Sequence, residues 1–393
     1  MKRSRYTVLI SGMLIQLCAG IIYMWSVFRG PVSQHLNWDS GAAAYTSSIM
    51  LASFVLGILI CGRLQDRIGP KKVTMLGSCF IGAGMLLTAL VPQSAPWLLY
   101  LTYGILGGFG VGSVYTCTVA VVQKWFPDKR GFATGLIVGA FGFSLVVFSP
   151  LAKFLLGKIG VPMTFVLFAA AFLLICIPCS MFIDTPEESD LPAMKKAGAV
   201  STRVSYTPVQ MLKTPQFLLL FFSMLFLLST YFIVNPQIIS LAEERGIDEN
   251  LAVFTVMLTG LASASGRLLL SWISDKIGRK AALMIICFIT LISAPMLIFA
   301  KGALFIAVII LIAFAFGGSS GVYAAVTADN FGTAHAGANF GCVMVAFGCS
   351  ALLSPLVAGR MSVSAGFILS ACCAAAALIC ILIYKPIAAK TEK

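Results

Sequence analysis

Twelve apolar runs, each of about the twenty residues a helix needs to cross a bilayer, constrain this chain more than any other feature. They lie near 7–28, 42–62, 72–92, 96–122, 131–157, 162–183, 215–241, 250–273, 279–300, 303–326, 335–359 and 364–384. A backbone immersed in hydrocarbon must satisfy its own hydrogen bonds, which leaves only helices and closed barrels. The ten-residue alternation of barrel strands is missing, so the runs predict an all-α membrane protein with twelve transmembrane helices. Composition agrees: charged residues make up 10% of the chain, far below the roughly 25% of a soluble domain.

The chain is also duplicated. The loop Gly62-Arg63-Leu64-Gln65-Asp66-Arg67-Ile68-Gly69-Pro70-Lys71-Lys72 returns as Ser274-Asp275-Lys276-Ile277-Gly278-Arg279-Lys280. Asp66 and Asp275 are 209 positions apart, as are Gly69 and Gly278, Lys71 and Lys280, and Gly57 and Gly266. A second inter-helix loop repeated as the eighth implies two six-helix halves, an architecture of membrane transporters with the solute site between the halves. The one long polar stretch, 184–214, is rich in proline, charge and small residues and falls near the middle. The expected organisation is a six-helix bundle over 1–183, a cytoplasmic linker over 184–214 and a second bundle over 215–393.

Charge sets the orientation. Of 27 lysines and arginines, 20 fall in the termini and even-numbered loops. Six (Arg29, Lys153, Lys158, Arg245, Lys301, Arg360) fall on the opposite side, and Arg267 is left inside a span. This asymmetry puts both termini in the cytoplasm of a multi-pass cytoplasmic-membrane protein. The net charge of +13 is spread over short loops, unlike the basic face of a nucleic-acid-binding domain, and no nucleic-acid partner is expected. The basic N-terminus precedes a run too long for a signal peptide, without a small-x-small cleavage site. All twelve cysteines fall inside predicted spans and read as small apolar packing residues.

An arginine at mid-span costs about 2.5–3.5 kcal/mol on insertion scales, so Arg267 needs a polar surrounding. Snorkelling toward the interface is one way to meet that need. Gly260, Ser263, Ser271 and Ser274 share its helical face, and this small, hydroxyl-rich stripe suits a wall facing water or substrate. Further candidates sit on the spans that correspond under a six-helix repeat. Gln16 and Tyr23 lie on span 1, Tyr115 on span 4 with a glycine ladder, Asn235 beside Pro236 on span 7, and Tyr323 on span 10. The repeated loops, with Asp66, Arg67, Lys71, Asp275, Arg279 and Lys280, place carboxylates and cations near helix ends, where charge and dipole contacts can hold neighbouring helices until a conformational switch. None of the fourteen acidic residues lies deep in a span, Asp329 coming nearest, and His35 and His335 fall in or beside loops. A proton pump built on an intramembrane carboxylate is unsupported. So is an enzyme: no metal-ligand spacing, nucleotide-binding loop or activated nucleophile is present, and neither cofactor nor metal is expected.

With these residues in place, the chain resembles the major facilitator superfamily, and within it the oxalate:formate antiporter family, with the monocarboxylate transporters as relatives. The resemblance spans essentially the whole length. It rests on Gly20-Ile21-Ile22-Tyr23-Met24-Trp25-Ser26-Val27-Phe28, the loop Gly62 to Lys72, Lys124-Trp125-Phe126-Pro127-Asp128-Lys129-Arg130-Gly131 with Ala133-Thr134-Gly135, Gly266-Arg267, and Thr327-Ala328-Asp329-Asn330-Phe331-Gly332. It implies alternating access by two rocking bundles, with a carboxylate held midway by the arginine of span 8, here Arg267. Tyr23, Tyr115 and Tyr323 match its aromatic walls. A guanidinium fork suits a planar anion.

Two departures narrow the cargo. The oxalate-handling member carries a lysine in span 11, whereas Val343 to Ser354 holds no charge here. A dicarboxylate would then leave a charge uncompensated, which favours a small monocarboxylate such as lactate, pyruvate or formate. The proton-linked relatives place an aspartate one turn before the arginine, where this chain has Ser263. Both antiport and symport with a proton stay open, as do an oxalate:formate exchanger and a carboxylate sensor without turnover. The chain is expected to work as a monomer in the lipid bilayer.

Overall fold

The computed structural model describes residues 4–187 and 205–387. Outside them lie 188–204 of the expected linker and the topology charges at 2, 3, 195, 196, 203, 390 and 393. Helices α1 to α4 are Arg5–His35, Ser40–Ile68, Pro70–Ala89 and Tyr100–Trp125. A 51-residue stretch, Arg130–Ser180, turns at Gly160 (φ 73°) into α5 and α6. Then follow α7 (Pro215–Glu243), α8 (Glu249–Ile277), α9 (Arg279–Phe299), α10 (Gly302–Phe331), α11 (Ala336–Ala358) and α12 (Val363–Ile383). Among the described residues eleven helices are long and apolar enough to span a bilayer; with the longest bent into two, the twelve predicted spans are accounted for.

Local chemistry explains where the helices start and stop. The Asp39 carboxylate accepts the Ala42 N–H at 2.7 Å and opens α2. Thr214 caps α7, with Pro215 at its first position, where a missing N–H costs nothing. Between α2 and α3, and again between α8 and α9, a single residue makes the turn: Gly69 (φ 89°) and Gly278 (φ 91°). That backbone region is closed to most side chains, which is why the duplicated loop keeps its glycine.

Three spans depart from α geometry. α1 tightens to a 3₁₀ turn over Gly20–Met24, α4 opens with a π-helical stretch over Tyr100–Gly107, and α7 breaks at Asn235–Gln237. In α7 the cause is Pro236, which lacks a donor for the helix ladder. Such breaks free backbone polar groups and recur where membrane transporters bind solutes.

The chain separates into two compact units. The first comprises 1–128, 140–200 and 334–341, and the second 129–139, 201–333 and 342–393. Each unit thus takes in one short segment from the other half of the sequence: the start of α11 in the first, the start of α5 in the second. Inside each unit the repeated glycine does the same job. A Cβ on Gly57 would strike the Phe109 carbonyl of α4, and one on Gly266 would strike the Phe314 carbonyl of α10, so both glycines let helix backbones meet. Large apolar side chains also face outward, with Leu174 76% and Phe299 81% exposed, as the surface of a lipid-embedded protein requires.

Candidate functional site

Arg267 lies on α8 in the second unit and is 3% exposed. Its Nη1 donates to the Val138 carbonyl of α5 at 3.5 Å, so the side chain turns inward and does not snorkel. The stripe around it is buried as well: Ser263 is 6%, Ser271 0% and Ser274 1% exposed. Much of it is taken up by packing, because Gly317 lies against the Ser263 backbone, Gly321 against Ser271, and Gly135 against the Arg267 carbonyl. Small residues on α8, facing glycines on α10 and α5, bring three backbones together along the face that carries Arg267.

Two turns along α8 from Arg267, the repeated loop builds a charge network. Asp275 accepts the N–H groups of Gly131 (2.9 Å) and Phe132 (2.7 Å), the first free donors of α5 and its positive dipole end. Arg279 pairs with Asp275 at 2.6 Å and with Asp329 at 2.7 Å, and Asp329 pairs with Arg130 at 2.7 Å. Two carboxylates therefore balance two guanidinium groups, and the start of α5 is tied to the ends of α8 and α10. Lys280 turns elsewhere, donating at 2.8 Å to the carbonyls of Leu382 and Tyr384 at the end of α12. Of this network the sequence had pointed to Asp275, Arg279 and Lys280. It gave no role to Arg130 or Asp329, although both lie in segments on which the family resemblance rests.

In the first unit, aromatic rings gather around Phe141. Tyr23, in the 3₁₀ break of α1, meets it edge-on at 5.3 Å, and Tyr115 does so at 5.2 Å. Tyr115 also meets Phe54 at 5.4 Å and stacks with Phe340 of α11 at 6.4 Å. Gln16 is fully buried and donates to Thr118 Oγ1 at 2.7 Å and to the Tyr115 carbonyl at 3.4 Å, which ties α1 to α4 beside the same ring. The first copy of the loop is held more sparsely than the second. Asp66 faces His335 Nδ1 at 3.7 Å, Arg67 is exposed and Lys71 half-buried, and neither of these cations enters an ion pair among the described residues.

The remaining candidates belong to the second unit. Tyr323 is fully buried and donates its hydroxyl to Ser223 at 2.8 Å, joining α10 to α7. Asn235 is half-buried at the α7 break. Near it the ring of Tyr231 stacks on Phe316 with centroids 3.7 Å apart. Phe316 belongs to an aromatic group with Phe232 and Phe347 that was lost in the general apolarity of spans 10 and 11.

Comparison with known proteins bears on this arrangement. The family model of the Major Facilitator Superfamily matches residues 7–355 and 220–393. The chain is 29% identical over 359 residues to the uncharacterized MFS-type transporter YhjX of Escherichia coli (strain K12), covering 89% of this chain and 87% of that one. It is 27% identical over 342 residues to the oxalate:formate antiporter of Oxalobacter formigenes, covering 84% and 78%. With monocarboxylate transporter 13 of Bos taurus it shares 23% over 275 residues, covering 70% and 62%. Among solved structures, the transporter FucP in the outward conformation superposes with a TM-score of 0.75 at 14% identity, over 97% of this chain and 98% of that one. The proton:xylose symporter XylE does so with 0.72 at 15% identity, over 97% and 96%.

Proposed function

This chain belongs to the Major Facilitator Superfamily, and on that premise we propose that it carries small monocarboxylate anions of the lactate, pyruvate or formate type by alternating access. The observation that carries the reading is the inward-turned, 3% exposed Arg267 in mid-span. A guanidinium sheltered from water gives a carboxylate a strong, geometrically selective partner through paired N–H donors. Tyr23, Tyr115, Tyr323, Gln16 and Asn235 are proposed as the remaining substrate-facing residues, and Asp66, Arg67, Lys71, Asp275, Arg279 and Lys280 as residues of the switch. The names of two relatives, an oxalate:formate antiporter and a monocarboxylate transporter, support a carboxylate cargo. The basic residues of the repeated loops support a cytoplasmic position for them in the cell membrane.

One observation favours a second reading. The oxalate:formate antiporter is among the relatives matched over most of their length, which supports dicarboxylate exchange. Against it stands the uncharged stretch 343–354 of α11, since one arginine balances one negative charge. Uptake of labelled pyruvate into proteoliposomes, in competition with lactate, formate, acetate and oxalate, separates the two. The monocarboxylate reading expects inhibition by lactate and formate and little by oxalate; oxalate as the strongest competitor would favour the exchanger. Counterflow of the labelled anion distinguishes a carrier from a sensor.

A further inference from the structure

The two copies of the repeated loop do the same mechanical job with different chemistry. In the second unit the Ser271 carbonyl of α8 presses on Gly131 of α5; in the first the Gly337 carbonyl of α11 presses on Gly62 of α2. Gly62 and Ser271 are 209 residues apart and Gly131 and Gly337 are 206 apart, so these are one contact made twice. One turn further along, Asp275 holds its partner segment through two backbone N–H groups and is paired with Arg279. None of those partners changes charge near neutral pH.

Its counterpart Asp66 accepts no backbone N–H among the described residues. The donor it faces is His335 Nδ1 at 3.7 Å, on the residue just before α11. From α4, Lys124 acts on Asp66 electrostatically. The titratable groups meeting here are thus Asp66 from α2, Lys124 and Cys117 from α4 and His335 just before α11. His335 is half-buried, so water and protons reach it. Histidine is the side chain whose charge ordinarily changes between about pH 5 and 8. As imidazolium it adds an attractive partner for Asp66. As neutral imidazole it leaves the start of α11 to uncharged contacts: the Gly62–Gly337 and Gly341–Ile58 packing, the Phe340–Tyr115 stack and a long hydrogen bond from Thr116 to the Gly337 carbonyl (3.4 Å).

We propose that His335 and Asp66 form a proton-sensitive latch, which fastens the start of α11 to α2 as the face bearing the repeated loops becomes acidic and loosens as it becomes alkaline. The second copy, built on Asp275, is the pH-insensitive partner. Acidification on that face therefore slows release of the α11 segment, and with it the conformational cycle, whatever the cargo.

Hydrogen exchange on the full-length protein in lipid nanodiscs tests this without any substrate, so its outcome is independent of the carboxylate reading. Amides over 336–341 in the wild type and His335→Gln are compared at matched pH, which cancels the intrinsic pH dependence of exchange. The expected result is about two- to fivefold greater wild-type protection near pH 5.5, the size of a partly exposed ion pair, shrinking to none near pH 8. Asp66→Asn is expected to lose the same pH-dependent component, and His335→Arg to keep wild-type acid protection at both pH values. Equal protection of wild type and His335→Gln near pH 5.5 would overturn the latch, as would a difference that does not vary with pH.

Discussion

A methyl group on Gly266 would collide with the Phe314 carbonyl, and backbone is the neighbour least able to yield. Gly266→Ala is therefore expected to cost about 1–3 kcal/mol through overpacking, read as a lowered midpoint of thermal unfolding in detergent. Phe299→Ala, at a side chain 81% exposed, should stay within about 0.5 kcal/mol of wild type. At this scale the sequence was informative about type and silent about partner. Gly57 and Gly266 stood out through their common spacing, but that they abut Phe109 and Phe314 follows from helix packing that spacing does not encode. Arg267 was legible because a charge in an apolar span is costly. Val138 as its hydrogen-bond partner was not, because a backbone carbonyl carries no mark in a sequence.

Between residue and molecule, the element that matters is the start of α5. Its first two free N–H groups end on the Asp275 carboxylate, and charge-assisted hydrogen bonds of this kind are worth about 1.5–3 kcal/mol each. Asp275→Asn keeps the shape and removes the charge. It is expected to speed amide exchange over 131–139 about tenfold or more, with little change in α12; unchanged exchange there would mean that packing alone holds the segment. That the starts of α5 and α11 lie in units built mainly from the other half of the sequence could not be read from the chain. The duplication divides it cleanly near 184–214, whereas Gly131 meets Asp275 across 144 positions through a fold-level contact without periodicity. The break in α7 was more legible, because Pro236 lacks a donor for the helix ladder, whereas the 3₁₀ turn of α1 carried no such mark.

For the molecule as a whole, twelve spans, the internal repeat and the family were all legible, because the hydrocarbon core permits so few alternatives. The 20-to-6 distribution of basic residues supports the proposed cytoplasmic termini. Alkaline phosphatase fused after Glu187 or at the C-terminus should be inactive, while a fusion after Arg29 should be active; the reverse pattern would invert the topology. The account turns on the guanidinium of Arg267 holding a single carboxylate, and uptake of labelled pyruvate by reconstituted Arg267→Ala and Arg267→Lys tests it most directly. Truncating one partner of a buried charge pair costs about 2 kcal/mol or more, so Arg267→Ala should fall at least about thirtyfold while still inserting and folding. Arg267→Lys, which keeps the charge but not the fork, should lie between it and the wild type. Wild-type uptake by a correctly inserted Arg267→Ala would contradict the account.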